Sequence, residues 1–440
     1  MLDINKIRNN KEEIKKSLLK RLKESDFNLD EIIALDDQRK NLLTKVQSLK
    51  AERNKNSKIP ITSRTLDGKA IGAKPTPEII EKMKALGNEI KNLDSQISQI
   101  EQMLKKELSA LPNMVSDEVV AGGKENNKVL KQFDRKPKFK FAPKDHIKLS
   151  KDLDIIDYER GVKMSGSGFW VYKGDGAILE WALLNYFIDF HRKNNYTFLI
   201  PPFLLTEESA YTSGHLPKFK DDLYWTQDKL CLNATSEMML LNYHRDEVLN
   251  QKNLPLKYFA YSTCFRREAG GYRAEEKGMI RGHQFNKIEM FHFTLPEKSW
   301  QAFEELRKNA EMLVKNLGLH FQSVQLAAED MSLAMVKTID IEVWIPSMNI
   351  YKEVSSISNS LDYQARRGDI KYRNNKTEKN EFVHTLNGSG LATSRLIPAI
   401  LEQFQQKDGS VKIPKVLQKY TGFSRIAGSR SREKLLRIQK

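Results

Sequence analysis

The chain has 440 residues, with 73 Lys plus Arg against 57 Asp plus Glu and a formal net charge of +16. That length suits two or three domains around at least one sizeable core. The basic excess fits a polyanionic partner, nucleic acid or an anionic membrane surface, as well as it fits a basic soluble enzyme. Two cysteines, Cys231 and Cys264, exclude a disulfide scaffold and a Cys-rich zinc module, so no zinc is expected. The polar start is no secretory signal, and no apolar run approaches the ~20 residues of a membrane helix. Composition thus predicts a cytoplasmic, multi-domain protein with no membrane partner.

From Met1 to about Leu111 the only aromatic residue is Phe27. Ile32, Leu35, Leu42, Val46 and Leu49 recur at threes and fours, with Arg39 filling one slot. Ile79, Met83, Leu86, Ile90, Leu93, Ile97, Ile100, Leu104, Leu108 and Leu111 alternate by four and three for most of their length, the seam of a coiled coil. Residues 58–77 hold Pro60, Gly68, Gly72, Pro75 and Pro77 and predict a reversal, because they cannot continue a helix. Thr76 can cap the second helix, with Pro77 in its first turn. The expected unit, 1–111, is an antiparallel hairpin of helices ~30 residues and roughly 45 Å long. One narrow apolar stripe per helix gives no thick core, which predicts a projecting arm. Such an arm serves either dimerisation or nucleic-acid binding. Its Arg39, Lys40, Lys45, Lys50, Arg53, Lys55, Lys58, Lys82, Lys84 and Lys91 favour the latter.

Residues 112–150 are polar, with Gly122-Gly123, Pro137 and Pro143, and read as a linker. From Lys151 aromatic residues become frequent, so 151–424 predicts the globular domain. The Arg-rich end, 425–440, reads either as an RNA-binding tail or as a disordered solubilising one. Residues 178–190 have helical spacing. Residues 196–205 form a strand pattern stopped by Pro201 and Pro202, and further strands are expected at 256–262, 287–293, 339–344 and 350–355. Strands flanked by helices without regular alternation predict an α+β domain with an antiparallel sheet. Neither a Rossmann glycine fingerprint nor a Walker loop is present, so a nucleotide would be gripped by charge.

Two stretches carry chemistry. Arg266, Arg267 and Glu268 close one strand, and Arg281, Phe285 and Glu289 lie on the strand that returns. Arginine forks suit phosphate or carboxylate, and an aromatic ring among cations suits a nucleobase. Residues 387–395 are small and polar and lead into an amphipathic helix through Ile397, Ile400 and Leu401. They read either as backbone left open for a ligand, with Arg395 facing it, or as an ordinary capped helix.

These residues carry a resemblance. Tyr196 to Leu204, with Pro202 closing it, resembles the first signature motif of class II aminoacyl-tRNA synthetases. Phe265-Arg266 through Phe285 and Glu289 resembles the second, and Gly388 to Arg395 the third. Gly214 to Phe219, Thr235-Ser236-Glu237, Glu353-Val354-Ser355-Ser356, Asp362 to Arg373 and Phe382 to Gly390 are similar to strings of the bacterial-type seryl-tRNA synthetase family. The likeness spans the chain, since that family also carries an N-terminal antiparallel coiled-coil arm. Ser236, where alanine is common, and Gly282, where Gln is common, depart from the pattern.

The resemblance implies a ligase that joins L-serine and ATP into seryl-adenylate and passes serine to the 3′-hydroxyl of tRNA(Ser). By motif position, Arg266, Glu353 and Arg395 are the implied catalytic residues. Arg266, Arg267, Glu268, Arg281, Phe285, Glu353, Val354, Ser355, Ser356 and Arg395 would bind ATP. Thr235, Ser236, Glu237, Arg266, Glu289, Asn387 and Ser389 would bind serine. Glu353 and Ser356 would hold Mg²⁺, a hard cation taking a few protein oxygens and nucleotide phosphates; the alternative for Glu353 is a strand-end salt bridge. The arm would grip the long variable arm of the tRNA, and a homodimer is implied.

Overall fold

The computed structural model describes residues 1–57, 63–64, 70–71, 77–269 and 278–428. Two compact units divide the chain, residues 2–111 and residues 112–440 together with Met1. The expected arm tip at 58–77, the charged loop at 270–277 and the end of the basic tail, 429–440, lie largely or wholly outside the described residues. Among the described residues no helix is long and apolar enough to cross a membrane.

The first unit is built on two long helices, α1 (Leu29–Ser57) and α2 (Pro77–Ala110). Leu86, Ile90, Leu93, Ile97, Ile100, Leu104 and Leu108 are all buried along α2, as a four-three repeat requires. Val46 packs with Ile90, Leu93 and Ile97, joined by Leu42, Leu43 and Leu49. Ion pairs Glu52–Lys82, Lys45–Glu89 and Arg39–Glu101 cross between the helices, lower partners on one meeting higher partners on the other, which makes them antiparallel. Ser63–Arg64 pairs antiparallel with Ala70–Ile71 between them. Asp36 is fully buried and takes charged hydrogen bonds from Arg39, Lys40 and Arg8. Burial opposes its ionisation, but those three cations outweigh it and hold its carboxyl down to about 2.

The basic face is partly engaged within the hairpin. Arg39, Lys40, Lys45, Lys50 and Lys82 are engaged in ion pairs within the hairpin. Arg53, Lys55, Lys84 and Lys91 have no ion pair among the described residues, and Lys58 falls outside them.

The second unit is organised on an eight-stranded sheet. Its elements in chain order are β1 (Lys128–Phe133), α3 (Asp175–Lys193), β2 (Thr197–Leu199), α4 (Ser236–Asn242), β3 (Leu256–Phe265), β4 (Gln284–Thr294), α5 (Ser299–Asn316), β5 (Phe321–Gln325), β6 (Lys337–Ile345), β7 (Ile350–Leu361), β8 (His384–Ala392) and α6 (Thr393–Gln403). The strand order is β1-β5-β6-β7-β8-β4-β3-β2. Every pair is antiparallel except β2 with β3. The class is α+β, with an antiparallel-rich sheet.

Side-chain alternation sorts the two faces. Ile339, Ile341 and Val343 on β6, Ile357 on β7, Leu386 on β8 and Ile288 and Met290 on β4 enter one core with α3, α5 and α6. Asp340, Glu342, Ser356, Ser358, Asn387, Ser389, Lys287 and Glu289 alternate with them and face the other way. The polar face of a half-buried sheet therefore becomes the floor of a site.

The structure departs from the reading of the sequence in three places. Residues 112–150 are part of the fold: β1 is an edge strand on β5, and Val115 and Val119 pack with Val324, Leu326 and Met331. Its polarity misled because an edge strand exposes most of its residues. The glycine-rich string is a central strand running straight into α6. A Cβ on Gly390 would come within 2.3 Å of His191, and one on Gly388 within 3.3 Å of Ile357. These glycines give room to core side chains behind the sheet, while Asn387 and Ser389 face the site. Finally, Arg425 and Ile426 pair with Lys412 and Val411, and Ile426 is buried, so the tail begins later than its composition suggested.

Candidate active site

At one end of the polar face, seven side chains from four elements converge. Thr235 caps α4 with its hydroxyl, accepting from the Glu237 amide at 3.2 Å. The same hydroxyl accepts from Lys287 Nζ at 2.7 Å and lies 3.4 Å from Glu289 Oε2. Ser389 Oγ donates to Glu289 Oε2 at 3.3 Å. Asn387 Nδ2 reaches Glu289 Oε1 at 3.1 Å and Glu237 Oε2 at 3.2 Å, while its own Oδ1 is buried without a partner. Lys287 and Glu289 form an ion pair at 2.5 Å. Gln364 Nε2 donates to Glu237 Oε1 at 2.7 Å. Burial first, and then the nearby Glu289 carboxylate, push the Glu237 carboxyl up to about 7; Lys287 and Arg266 work against the shift.

The cluster thus contains two carboxylates, one buried cation, two hydroxyls and an unpaired amide oxygen. It suits a small zwitterion bearing a hydroxyl. Lys287 and Gln364 were not read from the sequence as binding residues. Lys287 could have been found from its alternation with Glu289 on one strand; Gln364 lies within a recognised string but gave no signal of direction. Ser236 does not join the cluster. It has no exposed surface, and its hydroxyl donates to Ser262 at 2.7 Å, behind the site.

Beyond β8 the polar face opens into a cavity of about 320 Å³ lined by Arg266, Glu268, Arg281, Asp340, Glu342, Glu353, Ser356 and Arg395, among others. Arg266 belongs to both regions: it lines this cavity, and Glu237 feels its charge. Its Nε donates to the Ala234 carbonyl at 3.3 Å, and its guanidinium lies 5.2 Å from the Phe285 ring. Glu268 sits in the left-handed region at φ 53° and pairs with Arg281 at 2.5 Å. Arg395, in the first turn of α6, donates to the Glu353 carbonyl at 2.9 Å and lies 3.5 Å from its carboxylate. Gly282 has a packing reason, since a Cβ there would meet the Trp170 ring at 2.2 Å.

A β-bulge sets the acidic side of the cavity. Glu353 and Ser356 are three apart, which in a regular strand puts them on opposite faces. Ser355 pairs with Ile341 but Glu353 with Glu342, so Val354 has no partner. That extra residue returns Glu353 and Ser356 to one face. Val354 consequently turns into the core, and Ser355 is buried with its hydroxyl on the Ser389 carbonyl at 2.5 Å. Neither lines the cavity, contrary to the nucleotide set read from the motif. Arg267 is also displaced from that set: it is exposed and donates to the Asp221 carbonyl at 3.2 Å. Asp340 and Glu342, by contrast, were missed, although Asp and Glu two apart in an apolar strand were a visible signal. Burial raises both above the usual carboxylate range, and the neighbouring Glu353 adds to it. Among the described residues no group of three or more His, Cys, Asp or Glu side chains is arranged to hold a metal on its own.

Comparison with known proteins follows the two units. Residues 218–404 match the tRNA synthetase class II core domain (G, H, P, S and T). Residues 1–115 match the seryl-tRNA synthetase N-terminal domain. A serine–tRNA ligase 2 from Clostridium acetobutylicum is 52% identical over 428 residues, 96% of this chain and 99% of that protein. A serine–tRNA ligase from Petrotoga mobilis is 45% identical over 96% of this chain and 99% of its own. A crystal structure of seryl-tRNA synthetase from Pyrococcus horikoshii complexed with ATP superposes with a TM-score of 0.88 at 33% identity, covering 97% of this chain and 100% of that one. The chain belongs to the seryl-tRNA synthetase family.

Proposed function

We propose that the chain joins L-serine to tRNA(Ser) at the expense of ATP, with the buried cluster taking the amino acid and the adjoining cavity the nucleotide. The observation that carries this reading is Arg266, which stands where the two regions meet. A serine carboxylate beside Arg266 would be held against the α-phosphate of ATP. Its oxygen attacks phosphorus, the bond to the bridging oxygen breaks, and pyrophosphate leaves with seryl-adenylate formed. The guanidinium draws two anions together and offsets the charge that develops on phosphorus. The terminal 3′-hydroxyl of the tRNA then attacks the seryl carbonyl and AMP leaves.

Glu237 and Glu289 are placed for the ammonium group, and Thr235, Asn387 and Ser389 for the remaining polar atoms of serine. A pocket built to pair a hydroxyl rejects alanine by roughly 10⁴, because its buried groups are left unpaired. Phe285 offers a ring to adenine, Arg281 and Arg395 offer charge to the phosphates, and Glu268 sits beside Arg281. The donors fit Mg²⁺: the Glu353 carboxylate and Ser356 hydroxyl share a face, and the nearby Asp340 Oδ1 is buried without a partner. Two protein oxygens with the rest from phosphate is how this ion is usually held, and it would supply neutralisation of the polyphosphate.

The exposed cations of α1 and α2 support an arm for the long variable arm of tRNA. Two free, buried thiols, Cys231 and Cys264, support a reducing cytoplasmic location. Ile178, Trp181, Ile200 and Leu204 stand exposed on and around α3 and β2, a patch that supports a homodimer through this face. Serine-dependent ATP–pyrophosphate exchange followed by charging of purified tRNA(Ser) tests the proposal. Exchange without charging would sink the RNA part, and no exchange with serine would sink the whole.

A further inference from the structure

Behind the nucleotide cavity lies a buried carboxylate that takes no part in the chemistry above. Glu180, on α3, is 3% exposed. Its Oε1 accepts from Asn286 Nδ2 at 2.7 Å and from Thr393 Oγ1 at 2.6 Å. The two donors come from separate elements. Asn286 is on β4, directly after Phe285. Thr393 opens α6, two residues before Arg395, and its hydroxyl also lies 3.1 Å from the Asn286 carbonyl. Asn286 is pinned on its other side as well, its Oδ1 accepting from the Thr263 hydroxyl at 3.0 Å and the Tyr261 hydroxyl at 3.1 Å. One oxygen atom therefore ties α3 to the two segments that carry Phe285 and Arg395, the ring and the guanidinium proposed above as nucleotide contacts.

We infer that Glu180 is a positioning residue for the nucleotide, fixing Phe285 through Asn286 and Arg395 through Thr393 without touching substrate; this rests on the reading of the cavity as an ATP site. Several features make the assignment specific. A carboxylate is costly to bury, and an apolar side chain would fill the same space at less cost. Burial pushes its carboxyl up to about 7, against the pull of Thr393 and Asn286. Its second oxygen has no hydrogen bond, and the buried Tyr172 hydroxyl close by has none either. A group held for packing alone would not place both bonds of one oxygen on the neighbours of two separate ligand-facing residues. Glu180 also shares α3 with Trp181, whose ring lies 6.0 Å from that of Tyr261, so the network extends towards the exposed apolar patch.

The test compares Glu180→Ala and Glu180→Gln with the unchanged chain. Glutamine keeps an oxygen able to accept both bonds; alanine removes the shared acceptor, leaving the Thr393 hydroxyl only the Asn286 carbonyl and Asn286 Nδ2 without its bond. In serine-dependent exchange, Glu180→Ala is expected to raise the KM for ATP about tenfold or more while moving the KM for serine less than about twofold. Glu180→Gln is expected to restore most of the ATP KM. Equilibrium dialysis of ATP against each variant reads the same contrast without any reaction. If the unchanged chain binds ATP but does not exchange with serine, the serine reading fails while dialysis still decides the role of Glu180. The inference is overturned if Glu180→Ala binds ATP as the unchanged chain does. It is equally overturned if both KM values and the melting temperature move together with no rescue by glutamine, or if the unchanged chain binds no ATP.

Discussion

Around Glu237 and Glu289 the ionisable groups are buried and held by neighbours, whereas along α1 and α2 most cations stand in water. The physical consequences run in opposite directions. In the buried cluster each polar group lost leaves another without a partner, at a cost of about 1–3 kcal/mol or more when charged. On the hairpin an exposed ion pair contributes roughly 0–1 kcal/mol and is screened by salt. Amino-acid selection should therefore collapse with single substitutions, while RNA affinity should erode by increments. The internal pairs Lys45–Glu89 and Lys82–Glu52 do not remove those lysines from RNA binding, because an exposed pair this weak can be exchanged for phosphate.

Arg266→Ala should have the largest effect, because it serves both regions. Serine-dependent exchange is expected to fall by about 10³ or more, and near-normal exchange would refute its place at the junction. Removing residues 29–110 should leave exchange close to normal and reduce charging of tRNA(Ser) by about a hundredfold or more. Comparable charging by the shortened chain would end the distinction between the two regions. Glu289→Ala leaves Thr235, Asn387, Ser389 and Lys287 without their shared acceptor. The KM for serine should rise by about a hundredfold, with the KM for ATP nearly unchanged; equal shifts in both would argue against separate subsites.

A pH series sharpens the buried side of the comparison. Glu237 has a carboxyl raised to about 7, so it is mostly protonated at pH 6 and ionised at pH 8. An ammonium group favours its ionised form, so serine binding releases a proton below pH 7. The apparent affinity for serine should strengthen about tenfold from pH 6 to 8, and Glu237→Gln should flatten the profile. Glu289, Lys287 and Arg266 face the same group, so the profile of Glu237→Gln shows whether the slope belongs to Glu237. The smallest effect is expected on the arm. Lys84→Ala with Lys91→Ala should weaken tRNA binding only a few-fold and lower the salt slope by about two counterions. A loss as large as that of the whole arm would mean a specific contact rather than phosphate tracking.

The elements most legible in the sequence are those whose residues have one job. The four-three repeat of α2 emerges as a buried seam because nothing but packing acts on it. Strand β7 begins where its pattern begins but runs on to Leu361, since polar residues interrupt the apolar signal, while β6 extends the expected 339–344 by two residues before and one after. Asp340 and Glu342 lie inside the expected strand 339–344, but nothing in the string says that their face lines a cavity. The bulge at Val354 is invisible in one sequence, and it decides that Ser356 faces the cavity while Val354 and Ser355 do not. Arg267 and Ser236 show the limit of carrying a motif position by position: adjacent residues share a string but point to different surroundings. Edge strand β1 was hidden by its exposure, and the long-range tie from Glu180 to Asn286 and Thr393 exists only in three dimensions.

The most direct measurement is ATP–pyrophosphate exchange with serine, alanine and threonine offered separately to the full chain. Exchange that depends on serine, with alanine slower by about 10³ or more, is the expected result. Exchange that ignores serine, or that accepts alanine as readily, would contradict a buried cluster built around a hydroxylated amino acid.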